Sequence, residues 1–160
     1  MTRLRHLLLG LTVLPSLLLD SRQRRYFAEM RVFLSHLPEV LAGALPDALA
    51  AITPTPLASS FSDGSGTSRE GILRRLADLA ALLDRRSPLG LCLRRSLVRY
   101  HFLRREGIPL VVQFGARFKD GRPDREVGGH AWLTLEGKPY FEDHENFQGF
   151  NVMLRYPSDD

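Results

Sequence analysis

Two hydrophobic periods divide this chain. Up to about residue 107, apolar side chains return every three or four positions, the spacing of one helix face. Tyr26, Phe27, Met30, Phe33, Leu34 and Leu37 form one such stripe, which Pro38 is expected to interrupt. Val40, Leu41, Leu45, Leu49 and Ile52 form a weaker one. The stretch Thr53 to Thr67 (TPTPLASSFSDGSGT) is rich in Pro, Ser, Gly and Thr, which predicts a linker or loop. Thr67 or Ser68 then serves as a cap for a helix carrying Ile72, Leu73, Leu76, Leu79, Ala80 and Leu83 on one face. Ser87-Pro88-Leu89-Gly90 breaks that helix. Another runs from near Leu91 to about Glu106, with Gly107 as its stop.

Beyond Gly107 the texture becomes that of strands. Leu110 to Phe118 is β-rich, with Gly115 a bulge position. Lys119 to Gly129 is polar, contains Asp-Gly and predicts a loop. His130 to Leu135 alternates, Glu136-Gly137-Lys138 turns, Pro139 to Phe141 returns, and Phe150 to Tyr156 forms a last strand. Helices followed by an antiparallel run of strands predict an α+β fold. The best internal boundary falls in the Pro/Ser/Gly stretch. It gives a helical N-terminal segment over 1–60 and a core over 61–160.

Composition narrows the class. A chain of 160 residues with 44% hydrophobic and 25% charged residues fits one globular domain with a helical arm. The net charge of +4 is carried almost wholly by arginine, since Lys119 and Lys138 are the only lysines. No zinc-finger spacing or RNA-binding aromatic motif accompanies those arginines, so no nucleic acid partner is expected. One cysteine forms no internal disulfide and no cysteine metal site, which points to a cytoplasmic protein. Arg3, Arg5 and His6 precede an apolar run from Leu7 to Leu19. No A-x-A-like cleavage site follows, and the run is shorter than the ~20 residues a bilayer span needs. It reads as a buried or docking segment, with a signal peptide or peripheral membrane contact as the minority reading.

The candidate chemistry is that of a cysteine nucleophile. Cys92 falls at a helix start, where free N–H groups and the helix dipole favour a thiolate. Gly90 just before it permits a tight approach, and Arg94 and Arg95 add positive potential. His130 follows Gly128 and Gly129 on a strand, with Trp132 projecting to the same face. Glu142 and Asp143 follow across a hairpin, and either can orient an imidazole by accepting its second N–H. His144 and Glu145 lack the spacing of a zinc site, so neither metal nor cofactor is expected. His101 reads as a mid-helix contact. Arg94, Arg95, Arg99, Arg104 and Arg105 read as a solvated helix face or a docking face for an acidic partner.

Two motifs in this order carry a resemblance. C-L-x-R-S-L-x-x-x-x-x-L-R-R-x-G-I-P from Cys92, then G-H-A-W-x-x-x-x-G-K-P from Gly129, resemble the transglutaminase-like cysteine proteases that act as leader peptidases in lasso-peptide biosynthesis. The likeness covers about Leu89 to Phe141. It implies Cys92 as nucleophile, His130 as base and an acid about twelve positions on, which falls on Glu142. Asp143 has the usual residue type one place late. Pairing across the Glu136-Gly137-Lys138 turn sets His130 opposite about residue 143 and favours Asp143. The family spacing, given more weight, favours Glu142. The resemblance further implies cleavage of the leader from a ribosomally made precursor peptide, exposing the amine that an asparagine-synthetase-like lasso cyclase then joins to an acidic side chain. Residues 1–60 lack the strands of a leader-gripping domain, so a separate leader-binding winged-helix protein is the implied partner. The residues leave two other readings open: a transglutaminase or amidase-type acyl transferase on the same scaffold, and a non-catalytic scaffold that docks the precursor.

Overall fold

The computed structural model describes residues 20–56, 66–118 and 126–158. The apolar run Leu7–Leu19, most of the Pro/Ser/Gly stretch and the Asp-Gly of the polar loop lie outside the described residues. The chain falls into two compact units, one ending at Ile108 and one beginning at Pro109. Helices make up the first and a four-stranded antiparallel sheet the second, so the fold is α+β.

In the helical unit, α1 spans Ser21–Val40, α2 Leu45–Ile52, α3 Gly66–Leu83 and α4 Leu91–Arg105. Asp20 starts α1 by accepting from the backbone N–H groups of Arg22 at 2.8 Å and Gln23 at 3.3 Å. Met30, Leu34 and Leu37 are its buried stripe. Pro38 does not end this helix, contrary to the sequence expectation. It sits in the last turn, where its fixed φ is already helical and only one ladder bond is lost. The Leu41 N–H resumes the ladder on Leu37 O at 3.0 Å. Helix α3 begins at Gly66, and the Thr67 and Ser68 side chains expected to cap it lie outside the described residues.

Helices α1, α3 and α4 pack together through Leu34, Leu37, Leu73, Leu76, Ala77, Ala80, Leu97, Val98 and Leu103, all buried. The Thr53 hydroxyl at the end of α2 donates to Leu49 O at 2.7 Å and lies 2.9 Å from the buried Tyr100 hydroxyl of α4. A polar lock fastens α1 and α3 to the end of α4. Tyr26 donates to Glu106 Oε1 at 2.7 Å, and Arg69 reaches both the Tyr26 hydroxyl at 2.9 Å and Glu106 Oε2 at 2.8 Å.

The arginines of α4 do not form the exposed face read from the sequence. Arg99 is buried and grips Asp78 of α3 through two bonds of 2.5 and 2.6 Å. Arg94 is also buried; it donates to Ala81 O at 3.0 Å and to Asp84 O, with the Asp84 carboxylate 3.5 Å away. Arg105 pairs with Glu29 of α1 at 2.9 Å and lies over the Phe102 ring. Each is satisfied by an acid or carbonyl that the apolar periodicity does not register. Among the described residues no helix is long and apolar enough to cross a membrane.

In the sheet unit, β1 is Leu110–Phe118, β2 Val127–Leu135, β3 Lys138–Pro139 and β4 Asn151–Tyr156, in the order β3-β2-β1-β4. Strand β2 begins three residues earlier than expected, so Gly128 and Gly129 are strand residues rather than loop. Its burial does not alternate, since Ala131 to Thr134 are all buried. Leu135 pairs with Lys138 across a two-residue turn in which Glu136 and Gly137 both take positive φ, 51° and 75°. Along β4 the register against β1 jumps from Leu154 to Val152 opposite Phe114 and Gly115, which makes Met153 the extra residue of a bulge. One turn of helix, α5 (His144–Phe147), connects β3 to β4.

Candidate active site

The candidate thiol belongs to the helical unit. Cys92 is the second residue of α4, with Gly90 as N-cap, and it is partly exposed. Gly90 makes no side-chain cap bond, and the first turn holds no acid to offset the positive end of the helix. Gly90 has φ −59°, a value any residue adopts, and a Cβ there would sit 3.8 Å from Cys92 Sγ. The glycine therefore leaves the flank of the thiol bare, but the backbone does not require it.

The candidate base and its candidate acid belong to the sheet unit. His130 lies on β2 opposite Gly115 of β1. Its ring stacks on Trp132 at 5.8 Å and 18°, and the Phe150 ring approaches at 5.4 Å. Behind Trp132 stacks Phe147 of α5, at 6.0 Å. The space for the indole comes from Gly115, where a Cβ would meet two Trp132 ring carbons at 2.8 Å. The two glycines just before His130 make no such approach. A Cβ at Gly129 would have nothing within 4 Å, and one at Gly128 would meet only Arg117 O, at 3.8 Å. Three aromatic rings and a bare backbone thus fix the plane of the imidazole.

Glu142 faces that imidazole. Its Oε1 lies 3.8 Å from His130 Nε2, with the Glu142 side chain 2% exposed and that of His130 13%. The distance permits an ion pair and is longer than a direct hydrogen bond; such contacts tighten when substrate binds. The same carboxylate oxygen accepts a bond from Asn146 Nδ2 at 2.6 Å. Asp143 is exposed and forms the N-cap of α5, its carbonyl accepting from the Asn146 N–H at 2.9 Å. Strand pairing ends at Pro139, with one further bond from the Tyr140 N–H to Leu133 O at 2.8 Å, so the register that set His130 opposite residue 143 does not extend that far. Phe141 takes φ +46° and turns the chain out of the ladder one residue before Glu142. His144 packs edge-on against Phe147 at 5.1 Å.

His101 is a contact of the helical unit. Its Nδ1 donates to Ile52 O at 2.7 Å and its ring stacks on Phe33 at 4.6 Å. Sequence reasoning passed over Asn146, Phe147 and Phe150; the four-residue step from Glu142 to Asn146 was the available signal.

Chemically, a partly exposed thiol at an uncapped helix start suits nucleophilic attack. An imidazole held against aromatic rings, with a carboxylate toward one nitrogen, suits proton transfer at the other. A family model described as the transglutaminase-like superfamily matches residues 42–155. No curated protein and no solved structure matches the chain.

Proposed function

This chain belongs to the transglutaminase-like superfamily, whose enzymes are cysteine proteases and transglutaminases, and from that premise we propose that it is a cysteine peptidase removing the leader from a ribosomally made lasso-peptide precursor. The paired motifs from Cys92 to Pro109 and from Gly129 to Pro139 support the substrate class. The observation that carries the chemistry is Glu142 Oε1 beside His130 Nε2, which supports a reading in which Nδ1 exchanges the proton with the thiol.

In this reading His130 takes the Cys92 proton as sulfur attacks the carbonyl carbon of the scissile bond. The tetrahedral intermediate collapses as His130 returns the proton to the departing amine, which becomes the free N-terminus of the core peptide. The leader remains as a thioester on Cys92. A water that His130 deprotonates attacks the thioester and releases the leader acid and the thiol. Glu142 holds the Nε2 proton and offsets the imidazolium charge in both steps. The reaction needs no cofactor. A cytoplasmic setting keeps the thiol reduced. The partners are the precursor, a separate winged-helix leader-binding protein and an asparagine-synthetase-like cyclase.

The test mixes the chain with precursor and leader-binding protein and reads product masses. Cleavage to free leader and free core is expected, with little turnover when the partner is omitted. Iodoacetamide at near-neutral pH is expected to label Cys92 in the folded protein and stop cleavage. A cross-linked adduct, with an amine in place of water as acceptor, would instead identify the transglutaminase-type acyl transfer found in the same superfamily. Unchanged function in Cys92→Ala would identify a non-catalytic scaffold.

A further inference from the structure

We propose that Asn146 is a positioning residue of this site, whose side-chain amide holds the Glu142 carboxylate in the orientation that presents Oε1 to His130 Nε2. The same oxygen takes the 2.6 Å bond from Asn146 Nδ2 and lies 3.8 Å from Nε2. A carboxylate oxygen only accepts, so the NH₂ end of the amide is the end that faces it. With a side chain 2% exposed, Glu142 has little water to choose its rotamer, and protein donors decide it.

The local backbone serves this arrangement. Phe141, at φ +46°, turns the chain off β3. The Asp143 carbonyl accepts the Asn146 N–H and closes the turn that brings residues 142 and 146 together. The same helical turn delivers a second support, because Phe147 stacks on Trp132 and Trp132 on His130. One turn of helix therefore braces both the acid and the plane of the base. A carboxylate fixed opposite Nε2 favours the tautomer protonated there. Freed of Asn146, the carboxylate rotates and that preference weakens.

The role in turnover rests on the peptidase reading; the effect on the ring does not, so the primary test needs no substrate. The full chain is labelled with ¹⁵N-histidine and the His130 signals are assigned by their loss in His130→Ala. At a pH where the imidazole is neutral, the ¹⁵N shifts report which nitrogen carries the proton. Wild type is expected to hold the proton on Nε2. Asn146→Ala should move the ring toward a mixture, as Glu142→Ala does, and in the Glu142→Ala background it should add nothing. A role confined to folding of α5 would alter the ring in both backgrounds. Wild-type tautomer in Asn146→Ala, or an equal effect with Glu142 absent, overturns the inference. In the cleavage assay Asn146→Ala should lower kcat about ten- to a hundredfold with KM little changed, up to the cost of a misplacement of about 1 Å. Full activity of Cys92→Ala would overturn the peptidase reading and leave the tautomer result standing.

Discussion

Glu142 and Asp143 are neighbours in sequence with opposite surroundings. The side chain of the first is enclosed beside an imidazole, while the second is exposed at the start of a four-residue helix. An orienting acid holds the base without reacting, so its loss slows the chemical steps and spares precursor binding. Glu142→Gln is expected to lower the single-turnover rate by about 10²–10⁴-fold, the usual contribution of acid–base catalysis, with precursor affinity nearly unchanged. Asp143→Asn should cleave at close to the wild-type rate. The reverse ranking, measured with the leader-binding partner present, would assign the role to Asp143. At this scale motif and spacing name the candidate residues. They do not give the surroundings of those residues. A hairpin register for residue 143 needs a ladder continuing past Tyr140, and the left-handed backbone of Phe141, a residue with no turn signature, ends it there.

Helix α4 shows what a periodic pattern reveals about an element and what it conceals. Its limits and its apolar residues follow from spacing, and Gly107 ends it with φ +90° as the stop signal implied. Its arginines did not follow, because a pattern of apolar residues is silent on where a charge meets its partner. Asp78 lies on the face of α3 that turns to α4, and only packing brings it to Arg99. Removing one partner of an enclosed pair leaves the other charge stranded. Asp78→Ala is therefore expected to destabilise the fold by about 3–5 kcal/mol, read as a fall in the urea midpoint. A cost below about 1 kcal/mol, the level of exposed pairs, would show that Arg99 finds water or another acceptor instead. The strands were legible in the same measure. Strand β1 has the limits its β-rich run predicted, whereas β2 reaches back through two glycines that looked like loop.

For the molecule as a whole, the division into helices and then sheet was legible from the change of hydrophobic period, and the meeting of residues far apart in sequence was not. His101 is one such case, since Ile52 O and Phe33 reach it from other helices. Burial pushes its imidazole below the ordinary value of 6.5; the bond to Ile52 opposes this, Arg105 adds to it and Glu29 works against it. The unfolded chain then takes up the proton more readily than the folded one. The contribution of His101 is complete above pH 6.5 and is lost as the pH falls through the lowered folded value. Urea midpoints measured on either side of that window should differ less in His101→Gln than in wild type. An equal difference in both would place this part of the acid sensitivity elsewhere.

Trp132 is the only tryptophan of the chain, and its indole lies face to face with the imidazole of His130. An imidazolium cation quenches a neighbouring excited indole far more strongly than the neutral ring does. The protein thus carries a built-in optical gauge of the charge on its proposed base. Emission is expected to fall as acid protonates His130, and the midpoint of that fall gives the titration of one histidine among five without any label. In His130→Ala the acid-dependent step should vanish, while emission above it rises. Because light is read in milliseconds, the same signal would follow the proton through a single turnover, dimming when the imidazolium forms and recovering when the leaving amine takes its proton.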